Sequence, residues 1–182
     1  MSSTTYDGKE IKVKASKVMY VGMTLFILGG LIACYVLITS GLKFESKYAV
    51  LYLAGGLLLS PFFIYETLWA LPGFIPGKTF FVIHQGNQGE ITSKKQSVPI
   101  KQIRNIEYKR NPINLLNEVI IETYQGKKIK LKTYNFVAEV QFFDHIDRYV
   151  FPYMTDEARI VWDRKISNNQ LLKDINYERN QQ

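Results

Sequence analysis

Residues 18–39, VMYVGMTLFILGGLIACYVLIT, and residues 48–65, YAVLYLAGGLLLSPFFIY, contain no charged side chain. A helix rises about 1.5 Å per residue, so the first run reaches about 33 Å, enough for a hydrocarbon layer of about 30 Å. The second reaches that length if it continues through Glu66 to Leu71, which leaves the Glu66 carboxylate near an interface, where charge costs less than at the centre. Tyr20, Tyr65 and Trp69 at one end, and Tyr35, Phe44, Tyr48 and Tyr52 at the other, suit aromatic belts at two membrane surfaces. The two runs therefore predict a transmembrane helical hairpin over residues 18–71, with spans 18–39 and 48–71. The mean hydropathy of −0.08 for the whole chain is then a sum of two unlike parts, because the remainder is polar and rich in lysine.

Lysine placement predicts the orientation. Lys9, Lys12, Lys14 and Lys17 precede the first span and Lys78 follows the second, against Lys43 and Lys47 in the connecting loop. Both termini are expected in the cytosol of a multi-pass cell-membrane protein. Leu31-Ile32-Ala33-Cys34 has the form of a lipoprotein cleavage box, but the apolar run continues past the cysteine and a second span follows, unlike a signal peptide with its short apolar core. Cys34 is expected to be an inert buried thiol. One cysteine forms no intrachain disulfide, which fits a reducing compartment for the rest of the chain.

Gly29 and Ala33 in the first span, and Gly55, Gly56 and Ser60 in the second, are small residues that let helix backbones approach closely. Pairing residue 39 with residue 48 sets them against each other, so they are expected to form the packing face of the hairpin. Pro61 would kink the second helix. Glu66 is the interfacial carboxylate, an anchor or a partner for a lysine such as Lys17.

Outward from the hairpin the pattern changes. Residues 1–17 form a cytosolic segment in which Glu10 to Ala15 alternate with the period of a strand, a signal too short to separate from a solvated tail. Leu71 to Gly77 is a linker with two prolines and two glycines. From Lys78, β-branched and aromatic runs alternate with turn residues: Thr79–Ile83, Glu90–Thr92, Ser97–Pro99, a strand from Ile103 to Arg110, then Glu118–Tyr124 and Lys127–Lys132 flanking the Gln125-Gly126 hairpin. Asn135 is placed as the N-cap of a helix over residues 136–149 whose apolar face carries Phe136, Val140, Phe143 and Val150. Thr155 caps a second helix with Ala158, Val161, Trp162 and Ile166. The expected units are a β domain with covering helix over residues 78–154 and a helical tail over residues 155–182. With no apolar stretch of spanning length, residues 78–182 are expected to fold alone.

Short strands followed by a covering helix, with the Gly86-Asn87-Gln88-Gly89 turn, Val98-Pro99-Ile100-Lys101-Gln102-Ile103 and the Gln-Gly hairpin, resemble a bacterial PH-like domain. The whole chain, including Tyr134-Asn135 and Tyr149-Val150-Phe151-Pro152-Tyr153-Met154-Thr155, resembles the YfjD-like membrane proteins of Bacillus-type bacteria, a family of unknown function. The resemblance implies a transmembrane hairpin followed by a mainly β, α+β PH-like domain with a C-terminal helix. PH domains that grip phosphoinositides use basic residues around the first hairpin, placed here at His84-Gln85-Gly86-Asn87-Gln88-Gly89-Glu90, so that specificity does not carry over.

Catalytic signatures are missing from the sequence: no phosphate loop with its lysine, no nucleophile elbow, no cysteine and histidine spacing for zinc. No catalytic residue, metal or cofactor is assigned. Asp144, His145 and Asp147 form a compact polar cluster, expected as a solvated surface. In Lys127-Lys128-Ile129-Lys130-Leu131-Lys132 alternation puts Lys128, Lys130 and Lys132 on one face, with Lys94 and Lys95 as additions, a candidate contact for an anionic surface. A net charge of +7 without a recognition motif points to a lipid bilayer rather than nucleic acid. The expected function is a membrane-tethered, non-catalytic binding or scaffold module, with a protein partner possible and its ligand open. The alternative is an immunity or stress-resistance membrane protein that protects against a peptide toxin.

Overall fold

The first strand precedes both apolar runs. In the computed structural model, which describes residues 9–94 and 96–179, Glu10–Lys14 forms strand β1. Alternation turns Val13 inward, where it is fully buried, and leaves Glu10, Lys12 and Lys14 exposed. β1 pairs antiparallel with β2 (Thr79–His84), with Ile11 opposite Ile83 and Val13 opposite Phe81. The expected cytosolic segment 1–17 is therefore, over its described part, an edge of the β unit. Two neighbours in one sheet are joined by the whole excursion through helices α1 (Lys17–Leu42) and α2 (Ala49–Ala70).

Both helices are long and apolar enough to cross a membrane, and only 17% of each apolar window is buried. Val21, Leu25, Leu28 and Ile32 of α1, with Leu57, Leu58 and Ile64 of α2, point away from the protein. A core helix of a water-soluble fold would bury such side chains. The two helices pack on each other antiparallel, with Ile27, Cys34 and Gly41 of α1 and Ala49, Gly56 and Ala70 of α2 buried. In α1 these positions recur every seven residues, the spacing that keeps one stripe of a helix against its partner, while α2 buries Glu66 as well, outside that interval.

Four strands form the first sheet in the order β1-β2-β3-β4, with β3 at Glu90–Ser93 and β4 at Gln96–Pro99. The second sheet is β5 (Ile103–Arg110), β6 (Asn117–Thr123) and β7 (Lys128–Lys132). Every pairing is antiparallel. Helices α3 (Glu139–Tyr149), α4 (Asp156–Asn168) and α5 (Gln170–Asp174) follow. One core takes Phe81, Ile83 and Ile91 from the first sheet, Ile103, Ile106 and Ile121 from the second, and Phe142, Ile146 and Trp162 from the helices. Because Ala158, Trp162, Ile166 and Leu172 belong to that core, the expected boundary between a domain ending at 154 and a tail beginning at 155 does not separate two bodies.

The helix start also differs from expectation. α3 begins at Glu139 after an N-cap at Ala138, because Tyr134 and Asn135 adopt positive φ of 53° and 63°, a conformation that L-residues do not carry into a right-handed helix. Asn135 instead ties the strands: its Oδ1 accepts from the Asn117 amide at 2.6 Å and its Nδ2 donates to the Leu115 carbonyl at 3.4 Å. Phe136 is thereby turned into the core, where it is fully buried. Its ring meets Tyr20 of α1 at 5.6 Å, Phe74 at 4.8 Å and Phe80 at 6.4 Å between centroids. The Ser16 amide donates to the Phe136 carbonyl at 2.7 Å, and the Tyr20 hydroxyl to the Phe74 carbonyl at 3.2 Å. Both feet of the hairpin are thus packed into the β unit.

Removing β1 strips Val13 from the core and opens the edge of β2. A buried valine side chain contributes about 2 kcal/mol. We expect residues 79–179 alone to be poorly folded, and a chain in which β1 is joined to residue 79 by a short turn to be more stable by at least about 2 kcal/mol in urea unfolding. Equal stability of the two chains would show that β1 is dispensable.

Candidate functional site

Strand β7 alternates as its sequence requires: Ile129 and Leu131 are buried, and Lys128, Lys130 and Lys132 are exposed. Lys130 and Lys132 open onto a cleft of about 490 Å³ between β7 and the β2 and β3 strands. Lys78 and Lys94 line the same cleft, with Ser93, Thr79 and Tyr134 beside them, and Pro72 and Ile75 of the connector form one wall. The structure thus brings Lys94, Lys130 and Lys132 together. Lys128 is turned to an ion pair with Glu122 at 3.4 Å, exposed and of small energetic weight. Lys95 lies outside the described residues.

Lys78 was missed by reasoning from strand alternation alone. Its place as the first charge after the linker, just before β2, was the available signal. Its Nζ donates to the Pro72 carbonyl and sits 4.4 Å above the Tyr134 ring. Burial, together with the positive charge of Lys94, holds the Lys78 ammonium below the ordinary lysine range. Lys132 lies 5.2 Å over the ring of Trp69, in the last turn of α2. Among the described residues, none of these four lysines is ion-paired with a carboxylate.

The helix-packing residues need correction. Gly29 and Ala33 are exposed, and a Cβ on Gly29 or on Gly55 would meet nothing within 4 Å. The seam runs through Gly30, set against Phe63, and Gly41, where an added Cβ would fall 2.6 Å from the Leu53 amide. Gly56 is in the seam: its Cβ would come within 2.7 Å of Ile38 and 3.2 Å of the Cys34 carbonyl. Ser60, half-buried, donates to the Gly56 carbonyl at 2.6 Å. The reason is register. α1 runs on to Leu42 and turns tightly into α2, so Gly41 meets Ala49 and Leu53, and Cys34 rather than Ala33 takes the inward position.

Glu66 is buried, and its Oε1 finds no hydrogen-bond partner among the described residues. Among the described residues no ion pair joins Glu66 to Lys17. Nearby, the Tyr65 hydroxyl donates to the Ile113 carbonyl at 3.4 Å, so the loop after β5 sits against α2.

The expected polar surface around residues 144–147 is only partly solvated. Asp147 is buried and accepts from Trp162 Nε1 at 2.6 Å, the Tyr177 hydroxyl at 3.0 Å and Arg179 at 2.8 Å. Arg179 also bonds Asp163, and its guanidinium lies 4.4 Å from the Phe151 ring. Asp144 pairs with Arg148 at 3.3 Å, and His145 Nδ1 donates to the Gln141 carbonyl at 2.7 Å. Burial lowers the His145 pKa from its ordinary value. Asp147 is the group that fastens the C-terminal Tyr177 and Arg179 to α3. No group of three or more histidine, cysteine or acidic side chains among the described residues is placed to hold a metal.

The glycine contrast is measurable. Gly56→Val should separate the helices and lower the thermal midpoint of the detergent-solubilised chain by several degrees, whereas Gly55→Val should leave it within about one degree. Equal effects would place the seam elsewhere.

Comparison with known proteins agrees with this continuity of strand, hairpin and domain. The chain is 31% identical over 157 residues to the uncharacterized lipoprotein YfjD of Bacillus subtilis strain 168, covering 84% of this chain and 85% of that protein. It is 34% identical over 129 residues to the uncharacterized protein YfjE of the same strain, covering 68% and 85%. No solved structure matches. Residues 9–172, from the residue before β1 into α5, match a family of unknown function. The chain belongs to that family, DUF5381.

Proposed function

We propose that this protein is a membrane-anchored, non-catalytic binding module, in which α1 and α2 cross the membrane as a hairpin with both termini cytosolic and a PH-like β unit is held against the bilayer surface. The observation that carries this reading is the pairing of β1 with β2. Strands that share a ladder lie on one side of any membrane, so the intervening excursion has an even number of crossings. The exposed apolar girdle of both helices supplies the membrane contact, and the lysines before α1 and after α2 favour the cytosolic side. A four-stranded and a three-stranded antiparallel sheet followed by a helix support the PH-like fold. In that frame the connection between the first two strands is the hairpin itself, and the turn after His84 joins the second and third.

The relative YfjD carries the name lipoprotein. In this chain, cleavage before Cys34 would remove β1 and most of α1 (Lys17–Leu42), and the Cys34 thiol is buried in the helix seam. We propose that α1 is retained and Cys34 unmodified.

Two measurements test this reading. In a Cys34→Ala background, Ser46→Cys should react with an impermeant maleimide in intact cells, while Lys9→Cys and Asn168→Cys should react only after permeabilisation. The opposite pattern, or different behaviour of positions 9 and 168, would reject the topology. Intact-protein mass spectrometry should find residues 9–33 present and no diacylglyceryl group, and a lipidated chain beginning at Cys34 would overturn the retention of α1.

A further inference from the structure

We propose that the cleft between β7 and the β2 and β3 strands binds the phosphodiester headgroup of an anionic membrane lipid, with Lys78, Lys94 and Lys130 as its principal cationic contacts. The inference rests on the membrane-anchored reading and adds to it a ligand class and a site.

Three independent features converge there. The first is charge. Lys78, Lys94, Lys130 and Lys132 line one cavity, and none is ion-paired among the described residues. Glu118, which stands opposite Lys132 in the ladder, accepts a hydrogen bond from Asn111 instead. Like charges gathered in a recess repel one another, and the lowered pKa of Lys78 reflects that repulsion together with burial. An anion that enters offsets the repulsion between these charges, so it binds the folded protein in preference to the unfolded chain.

The second is the lining between the charges. Ser93, Thr79 and Tyr134 offer neutral hydroxyl donors of the kind that phosphate oxygens accept, while Pro72 and Ile75 supply an apolar wall. A phosphodiester that carries an apolar tail matches this division, whereas a small hydrated anion leaves the apolar wall unused.

The third is position. The wall formed by Pro72 and Ile75 belongs to the connector that leaves α2, Ile75 is exposed, and Lys132 sits on Trp69 in the last turn of that helix. The cleft therefore opens at the depth where a spanning helix passes through the headgroups. A ligand confined to that layer is present at high local concentration, so contacts too weak to retain a free phosphate suffice for a lipid.

The test uses the full chain in micelles of a neutral detergent, with phosphatidylglycerol, phosphatidylcholine or inorganic phosphate as probes and bound lipid read by native mass spectrometry. Phosphatidylglycerol should be retained and phosphatidylcholine lost, and millimolar phosphate should not displace the lipid. The triple variant Lys78→Gln, Lys94→Gln, Lys130→Gln should weaken phosphatidylglycerol retention by on the order of tenfold or more. Lys128→Gln, on the same strand but paired with Glu122, should leave it unchanged. Equal retention of the two lipids, displacement by phosphate, undiminished retention in a triple variant with unchanged circular dichroism, or an equal loss in Lys128→Gln would each overturn the proposal. If the triple variant does not fold, raising the salt concentration on the unmodified chain provides the second measurement: insensitivity of phosphatidylglycerol retention to salt rejects the site. Cysteine labelling at positions 46 and 168 does not depend on these lysines, so loss of lipid selectivity with the labelling pattern intact rejects the cleft alone.

Discussion

The ladder between β1 and β2 is the constraint on which the rest of the structure depends. Without it the two apolar helices would be a leader attached by a linker to a separate domain. With it they are an insertion between adjacent strands, and their feet are forced together. Phe136 completes the joint, because Tyr20 from one foot and Phe74 from the other pack on the same ring. Gly73 has to be glycine for this contact, since a Cβ there would collide with that ring.

A joint of this kind gives the β unit a fixed attitude on the hairpin. Tyr65 against Ile113 and Lys132 over Trp69 lie on the α2 side, and the Ser16 amide on Phe136 lies on the α1 side. Each contact is small, and most are polar groups that water would serve equally well, so their effect is orientation rather than bulk stability. Orientation is what makes the lysine cleft meaningful: the same four charges on a freely tumbling domain would face every direction in turn. The Asp147 carboxylate gathers Trp162, Tyr177 and Arg179, which draws the C-terminal residues back onto α3.

What was legible in the sequence follows from the range of each signal. The two apolar helices, the antiparallel strands and the Gln125-Gly126 turn are local patterns, and the alternation in β7 placed Ile129 and Leu131 inward as observed. β1 was visible as alternation over a few residues, but its partner lies beyond the hairpin and no local rule reaches that far. The helix seam was misassigned because glycine spacing alone does not set register: the turn length decided whether Ala33 or Cys34 faced α2. Asn135 had the composition of a cap and serves as a strand tie, since a positive φ is invisible in residue type. Of the cleft, the strand lysines were readable, whereas Lys78 required knowing that β2 starts beside β7.

The separation between β1 and its partner also has a consequence for synthesis. Val13 and Phe81, opposite each other in the finished sheet, are roughly seventy residues apart, a long-range contact that costs loop entropy and forms late. β1 leaves the ribosome first and has nothing to pair with until the hairpin and the next strand have been made. In the topology proposed above, that pairing becomes available only to chains whose two helices have both inserted and returned the polypeptide to its starting side. A chain that stops after one crossing strands β1 on the wrong face, with Val13 exposed and the edge of β2 open. Under that proposed topology the sheet would complete itself only on correctly threaded molecules and would leave the others with an unfinished edge.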